Sequence, residues 1–140
     1  MTGPLFRRFA RDERAAVAVE FVLIAPVLLA LLFGIVILGY FMGISHSVSQ
    51  LAAGAARASV AGLDEAERRS IATAYLDRAE ERYPLLTNEA LRSNLRFDYG
   101  ADAGITVDVS FNAEGTMLEI ANGFLGLNIA TIDGSAYLAY

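Results

Sequence analysis

The pattern of polar and apolar positions divides the chain into two regimes. From Phe21 to Ile44 there is no charged or strongly polar side chain. Those residues, at ~1.5 Å of rise each, make roughly 36 Å of helix, enough to span a hydrocarbon core of about 30 Å with some tilt. Pro26 lies inside the run near its start, where it removes one backbone hydrogen bond and predicts a kink. Gln50 to Gly62 then reads Q-L-A-A-G-A-A-R-A-S-V-A-G, rich in small residues and free of proline. The spacing predicts that the helix simply continues, from about residue 16 to about residue 61, on the order of 70 Å in all.

Beyond residue 63 the pattern is that of an ordinary folded domain. Ile71, Tyr75, Ala79 and Tyr83 recur at four-residue spacing, with Leu76 alongside, and predict an amphipathic helix from Asp64 to Tyr83 that Pro84 stops. Asp64, Glu65 and Glu67 suit its N-terminus, and Arg78 and Arg82 its C-terminus. A shorter helix is expected from Asn88 to Leu95. Ile105 to Phe111 alternates strictly between apolar and polar and predicts a half-buried strand. Asn112-Ala113-Glu114-Gly115 supplies turn chemistry, so Thr116 to Ile120 is expected as the hairpin partner. Leu95–Tyr99 and Ala136–Tyr140 add a third and a fourth strand, leaving Phe124 to Leu127 and Ile129 as loop or core filler. The fold class is therefore α+β: a long N-terminal helix followed by a small head with an amphipathic helix and an antiparallel sheet.

Charge assigns a direction to the apolar run. Arg7, Arg8, Arg11 and Arg14 precede it, while only Arg57 lies at a comparable distance beyond it. The positive-inside rule then places the N-terminus in the cytoplasm and residues 45–140 outside. A cleaved secretory signal is the competing reading, but its apolar region spans about 7–15 residues and its small-residue cleavage site follows the run. Here the run is longer, and Ala15-Ala16 lies before it. Glu20 sits at the very edge of the apolar segment, where a carboxylate is costly and usually has an assigned partner. Gly39 and Gly43 have the spacing that allows two helices to approach closely.

Composition narrows the chemistry. The net charge of −5 is carried by the body of the chain, which argues against nucleic-acid binding. There is no cysteine, so disulfides and thiolate chemistry are excluded. His46 is the single histidine, beside the apolar run, and its neighbours Ser45 and Ser47 do not make a triad by adjacency. Asp98-Tyr99-Gly100-Ala101-Asp102-Ala103-Gly104 resembles a calcium loop loosely, without a third acid or a closing glutamate, and reads as turn residues. No catalytic residue, cofactor or metal site is expected, and the chain reads as a non-enzyme.

Two patches together resemble a known family. Arg8-Phe9-Ala10-Arg11-Asp12, followed by Ala18-Val19-Glu20-Phe21 and Pro26-Val27-Leu28-Leu29, looks like the TadE-like pseudopilins of the tight-adherence (Tad, or Flp) branch of type IV pilus machines. Ala52 to Gly62 is similar to the Ala/Arg segment that such proteins carry after their membrane helix. The resemblance implies a minor pilin-like subunit with a pilin-like head. It also implies removal of a basic leader by a prepilin peptidase, with the cut between Ala15 and Ala16. Ala15 stands where the family usually carries Gly. Glu20 then occupies the fifth mature position, where it would pair with the freed amine of Ala16 on a neighbouring subunit and set axial register, with Phe21 beginning the membrane-buried face. The implied layout is a cytoplasmic leader over 1–15, a membrane and stalk helix over 16–62 with its span at about 21–44, and an extracytoplasmic domain over 63–140. The implied location is the bacterial inner membrane. The implied partners are the peptidase, other pilins or pseudopilins, inner-membrane assembly proteins and the bilayer. The rival reading is an uncleaved, single-pass membrane-anchored binding module.

Overall fold

The computed structural model describes residues 13–100 and 103–140, with side chains from Val17 onward. Helix α1 is Glu13–Ser59, α2 is Glu65–Leu76 and α3 is the short Ala79–Arg82. A 3₁₀ turn at Asn88–Ala90 leads into β1, Leu91–Asp98; β2 is Gly104–Asn112, α4 is Met117–Leu125 and β3 is Thr131–Ala139. The chain divides into two compact units, one ending at Leu38 and one running from Gly39 to Tyr140.

The first unit is helix alone. Its most apolar eighteen-residue window has a mean hydropathy of 3.1, and none of that window is buried within the fold. Pro26 is accommodated inside the helix. Leu, Ile, Val and Phe side chains thus face outward on every side, which in a soluble domain would be untenable and in a bilayer is the stable arrangement.

In the second unit, three antiparallel strands form a sheet in the order β1-β2-β3. Ile105, Val107, Val109 and Phe111 of the central strand are all at most 1% exposed, while Thr106, Asp108 and Ser110 between them are only partly covered. One face of the sheet therefore builds the core and the other meets water. The core's second layer comes from α1, whose Ile44, Val48, Leu51, Ala52, Ala55 and Ala56 are buried. Contact is closest at Gly134 of β3, where an added Cβ would lie 2.9 Å from both Ser49 N and Val48 Cγ1. Gly54 of α1 faces the Tyr75 ring of α2 in the same way. The Ala/Gly stretch of α1 is thus thin because other elements lie directly on its backbone.

Helix α2 starts on an Asp64 cap whose Oδ1 accepts from Glu67 N at 2.8 Å, while Glu67 Oε2 accepts from Leu63 N at 2.8 Å. This is the reciprocal logic of a capping box. Its outer end is clasped to the sheet. The Tyr99 hydroxyl donates to Glu65, Arg69 pairs with Glu65 at 3.0 Å, and the Arg69 guanidinium lies 4.9 Å from the centre of the Phe97 ring. The Tyr99 hydrogen bond, and after it Arg69, holds the Glu65 carboxyl below its ordinary pKa. A depressed folded-state pKa means that this clasp is in place above the unfolded carboxyl's pKa and is lost as pH falls through the folded one. Tyr99→Phe is expected to move the Glu65 titration back up toward its ordinary position, with Arg69 retaining part of the shift, as read by carboxyl ¹³C NMR across an acid titration.

Five expectations are corrected. The helix expected over Asp64–Tyr83 is interrupted after Leu76, because the Asp77 carbonyl is taken by Asn88 Nδ2 at 3.1 Å instead of a helical N–H. Asn88 to Leu95 is not a helix: after the 3₁₀ turn, Leu91, Ser93, Leu95 and Phe97 pair with Phe111, Val109, Val107 and Ile105. Thr116 to Ile120 is not a strand but the start of α4, capped by the Thr116 hydroxyl accepting from Leu118 N at 3.2 Å. The sheet consequently has three strands among the described residues, and Phe124 is not core filler, being 77% exposed.

Candidate functional site

The residues that the sequence singles out all lie on α1. Ala15 and Ala16 fall in its first turns, whereas Arg7, Arg8 and Arg11 of the basic head lie outside the described residues. Glu20 is exposed one turn further on, and Phe21 is 67% exposed. From Val17 through Leu38 every described side chain is exposed or half-buried, so this length of helix keeps its whole circumference open to surroundings outside the fold. An exposed carboxylate heading a fully exposed apolar helix is an unusual juxtaposition. Placed in hydrocarbon without a partner, such a charge would be costly.

The two glycines proposed for helix packing have different settings. A Cβ at Gly39 would meet nothing within 4 Å, while one at Gly43 would lie 3.0 Å from Leu85 Cδ1. Gly43 therefore already receives a neighbour from its own head. Just beyond it, a polar band satisfies itself along the helix. Ser47 donates to Gly43 O at 2.8 Å, Ser49 donates to Ser45 O at 2.9 Å, and His46 Nε2 lies 3.0 Å from Gln50 Nε2. His46 is thus within hydrogen-bond distance of a neutral amide one turn away.

Among the described residues no group of three or more His, Asp and Glu side chains gathers to hold a metal. Of the Asp98–Gly104 segment, Ala101 and Asp102 lie outside the described residues. Asp98 ends β1, and Gly100 takes a φ of +100°, which is turn geometry. Sequence reasoning missed two features of the head, the Leu85 contact on Gly43 and the exposed apolar face of α4. The second had a readable signal, since Thr116 and Glu119 have capping-box spacing ahead of an apolar run.

Fold and site together define a protein with, among the described residues, one helix long and apolar enough to cross a membrane, the C-terminal part of which is built into a small α+β head. Over residues 15–57 the chain matches the model of the TadE-like protein family, a segment that includes Val19-Glu20-Phe21 and ends within the Ala52 to Gly62 stretch. No curated protein and no solved structure matches it. The matched segment is nearly coextensive with α1, and it supports a Tad pilus-associated, pilin-like role.

Proposed function

We propose that this chain is a minor pilin-like subunit of a Tad/Flp pilus assembly or secretion system, acting through helix packing and not through catalysis. A prepilin peptidase cuts between Ala15 and Ala16, leaving Glu20 at the fifth position of the mature helix. The Glu20 carboxylate then pairs with the Ala16 amine of a neighbouring pilin-type subunit. Pairing two charges that would each be costly to bury alone sets axial register more than it adds stability. The protein is inserted in the bacterial inner membrane through a span at about residues 21–44, its N-terminus cytoplasmic and its head over 63–140 outside. Gly39, open on its Cβ side, offers a point of close approach to another helix.

The observation that carries the reading is the coincidence of the TadE-like match at 15–57 with a helix whose apolar length has no intramolecular cover. The test is the intact mass and N-terminal sequence of the membrane-associated protein, from cells with and without the peptidase. A start at Ala16 that requires the peptidase is the expected result. An intact N-terminus in both cells would leave a plain membrane-anchored module, and a start beyond Ile44 would make the head a secreted domain.

A further inference from the structure

We infer that the head is seated in the membrane surface as well as tethered to it: α4 and the Tyr83–Leu86 loop insert apolar side chains into the interfacial layer of the leaflet on the head's side. The inference rests on reading α1 as a membrane span, and it concerns the compact unit from Gly39 to Tyr140, which contains the last turn of the apolar run.

The levels of the head's parts along α1 follow from contacts within that unit. Gly134 of β3 lies against Val48 and Ser49. At the other end of the strand, the Tyr140 ring lies 3.7 Å from the guanidinium carbon of Arg68, and Arg68 Nε donates to Gly62 O at 2.9 Å. Six residues of strand and thirteen of helix each rise about 20 Å, so β3 runs alongside α1 in the same sense. Thr131, three residues before Gly134, then falls about 10 Å back along the helix, near the level of Phe41 and Met42. The end of the head that holds Thr131 is therefore level with the end of the apolar run. A separate contact gives the same level, since Leu85 meets α1 at Gly43.

This end carries a cluster of exposed apolar side chains, while Leu63, Tyr99 and Tyr137 are exposed elsewhere on the head. Helix α4 leads into β3, and the loop between them is closed by Asn122, which donates to Ile129 O at 2.7 Å and accepts from Ile129 N at 3.1 Å. Ile120 and Phe124 of α4 are 74% and 77% exposed, with Met117 and Leu127 partly exposed near them in sequence, and Leu85, at the level of Gly43, is partly exposed too. Ile120 and Phe124 stand one turn apart on the same helical face, opposite Leu118, which is buried. A short helix with one apolar face at the depth of the headgroup boundary is the arrangement of an interfacial helix. Continuity with the last turn of the anchor identifies the occupant as lipid. Helix α4 bears Glu119 and no basic residue, so the surface fits a zwitterionic leaflet and does not depend on anionic phosphate.

The chain lacks tryptophan, which permits a direct depth measurement. Full-length Phe124→Trp, Leu63→Trp and Leu32→Trp would each be reconstituted in phosphatidylcholine vesicles with and without lipids brominated near the headgroup end of the acyl chain. Phe124 and Leu63 are both exposed, so neither substitution disturbs packing, and Leu63, beside Gly62, marks the far end of the head. Phe124→Trp is expected to emit at shorter wavelength than Leu63→Trp, to be quenched several-fold more by the brominated lipid, and to resist aqueous iodide. An iodide-accessible Phe124→Trp beside a lipid-quenched Leu32→Trp would overturn the inference while leaving the anchor intact. Shielding of Phe124→Trp without lipid quenching would overturn it as well, by placing protein on that face. A Leu32→Trp untouched by lipid would sink the anchor reading itself.

Discussion

Phe111→Ala is expected to cost the head about 3–5 kcal/mol, the range for emptying a fully buried aromatic site. Phe111 is the largest of the fully buried side chains, at 1% exposure, and it lies in register between Leu91 of β1 and Ile132 of β3. Its removal opens a cavity bordered by all three strands, and the sheet cannot close over that space without giving up its pairing. For a domain of this size each kcal/mol shifts the thermal midpoint by about 4–8 °C, so a fall of more than about 12 °C is expected. Near-UV circular dichroism in detergent micelles reads it selectively, because five of the six tyrosines, all but Tyr40, belong to the chain beyond residue 63. A midpoint within a few degrees of the parent would mean that Phe111 does not anchor the core.

Gly134→Val is the second large effect, and it opposes local propensity. Valine favours strands and glycine weakens them, so β3 considered alone would gain from the change. The obstacle is α1: the new Cβ would lie 2.9 Å from the Ser49 amide nitrogen, a backbone atom that cannot swing aside. Either β3 or the helix must retreat, separating Val107, Val109 and Phe111 from Val48 and Leu51. Overpacking of this kind costs about 1–3 kcal/mol, and the backbone contact places this case at the upper end. The same near-UV melt measures it, and hydrogen exchange of the β3 amides should rise along with the loss. An unchanged or raised midpoint would show that the close approach at Gly134 carries no constraint.

What the sequence disclosed follows from where local and tertiary forces agree. Helix α1 was legible because an uninterrupted apolar run and a proline-free Ala/Gly stretch leave no competing element. Strand β2 was legible because it is central, so its alternation is enforced by burial on one face and by neighbours on both sides. Strand β1 was legible only in its second half, Leu95 to Asp98: as an edge strand its Arg92, Asn94 and Arg96 face water, and the start of the Leu91-to-Phe97 alternation was masked by residues that suit a helix equally well. Helix α4 was misread because Asn112 to Gly115 is genuine turn chemistry, and two-residue spacing past it imitates a hairpin. The deciding signal was Glu119 reaching back to Gly115 N at 2.6 Å, a capping interaction that selects helix over strand. The break at Asp77 depends on Asn88, eleven residues away, and no window along the sequence contains that competition.

For the candidate site, the identities of Glu20, Phe21, Gly39 and Gly43 were open to inspection, since they sit on the most regular element of the chain. Their surroundings were not. Nothing in the spacing of the two glycines tells Gly39, with open space at its Cβ position, from Gly43, which faces Leu85. That distinction comes from the loop after α3, whose path is set by the burial of Leu86 and the stop at Pro84.

The sharing of α1 between anchor and core has a temporal consequence. The ribosome finishes Ser59 well before it reaches Gly134, the strand residue that lies directly on Val48 and Ser49. At translation rates of about 5–20 residues per second, the apolar face from Ile44 to Ala56 waits roughly 4–15 s for its covering strands. If α1 enters the bilayer as proposed, the nascent chain displays that uncovered ridge during the interval. A holdase, or a neighbouring helix borrowed for the moment, would be most needed then, and slowing synthesis across residues 60–134 should lengthen the hazard in proportion.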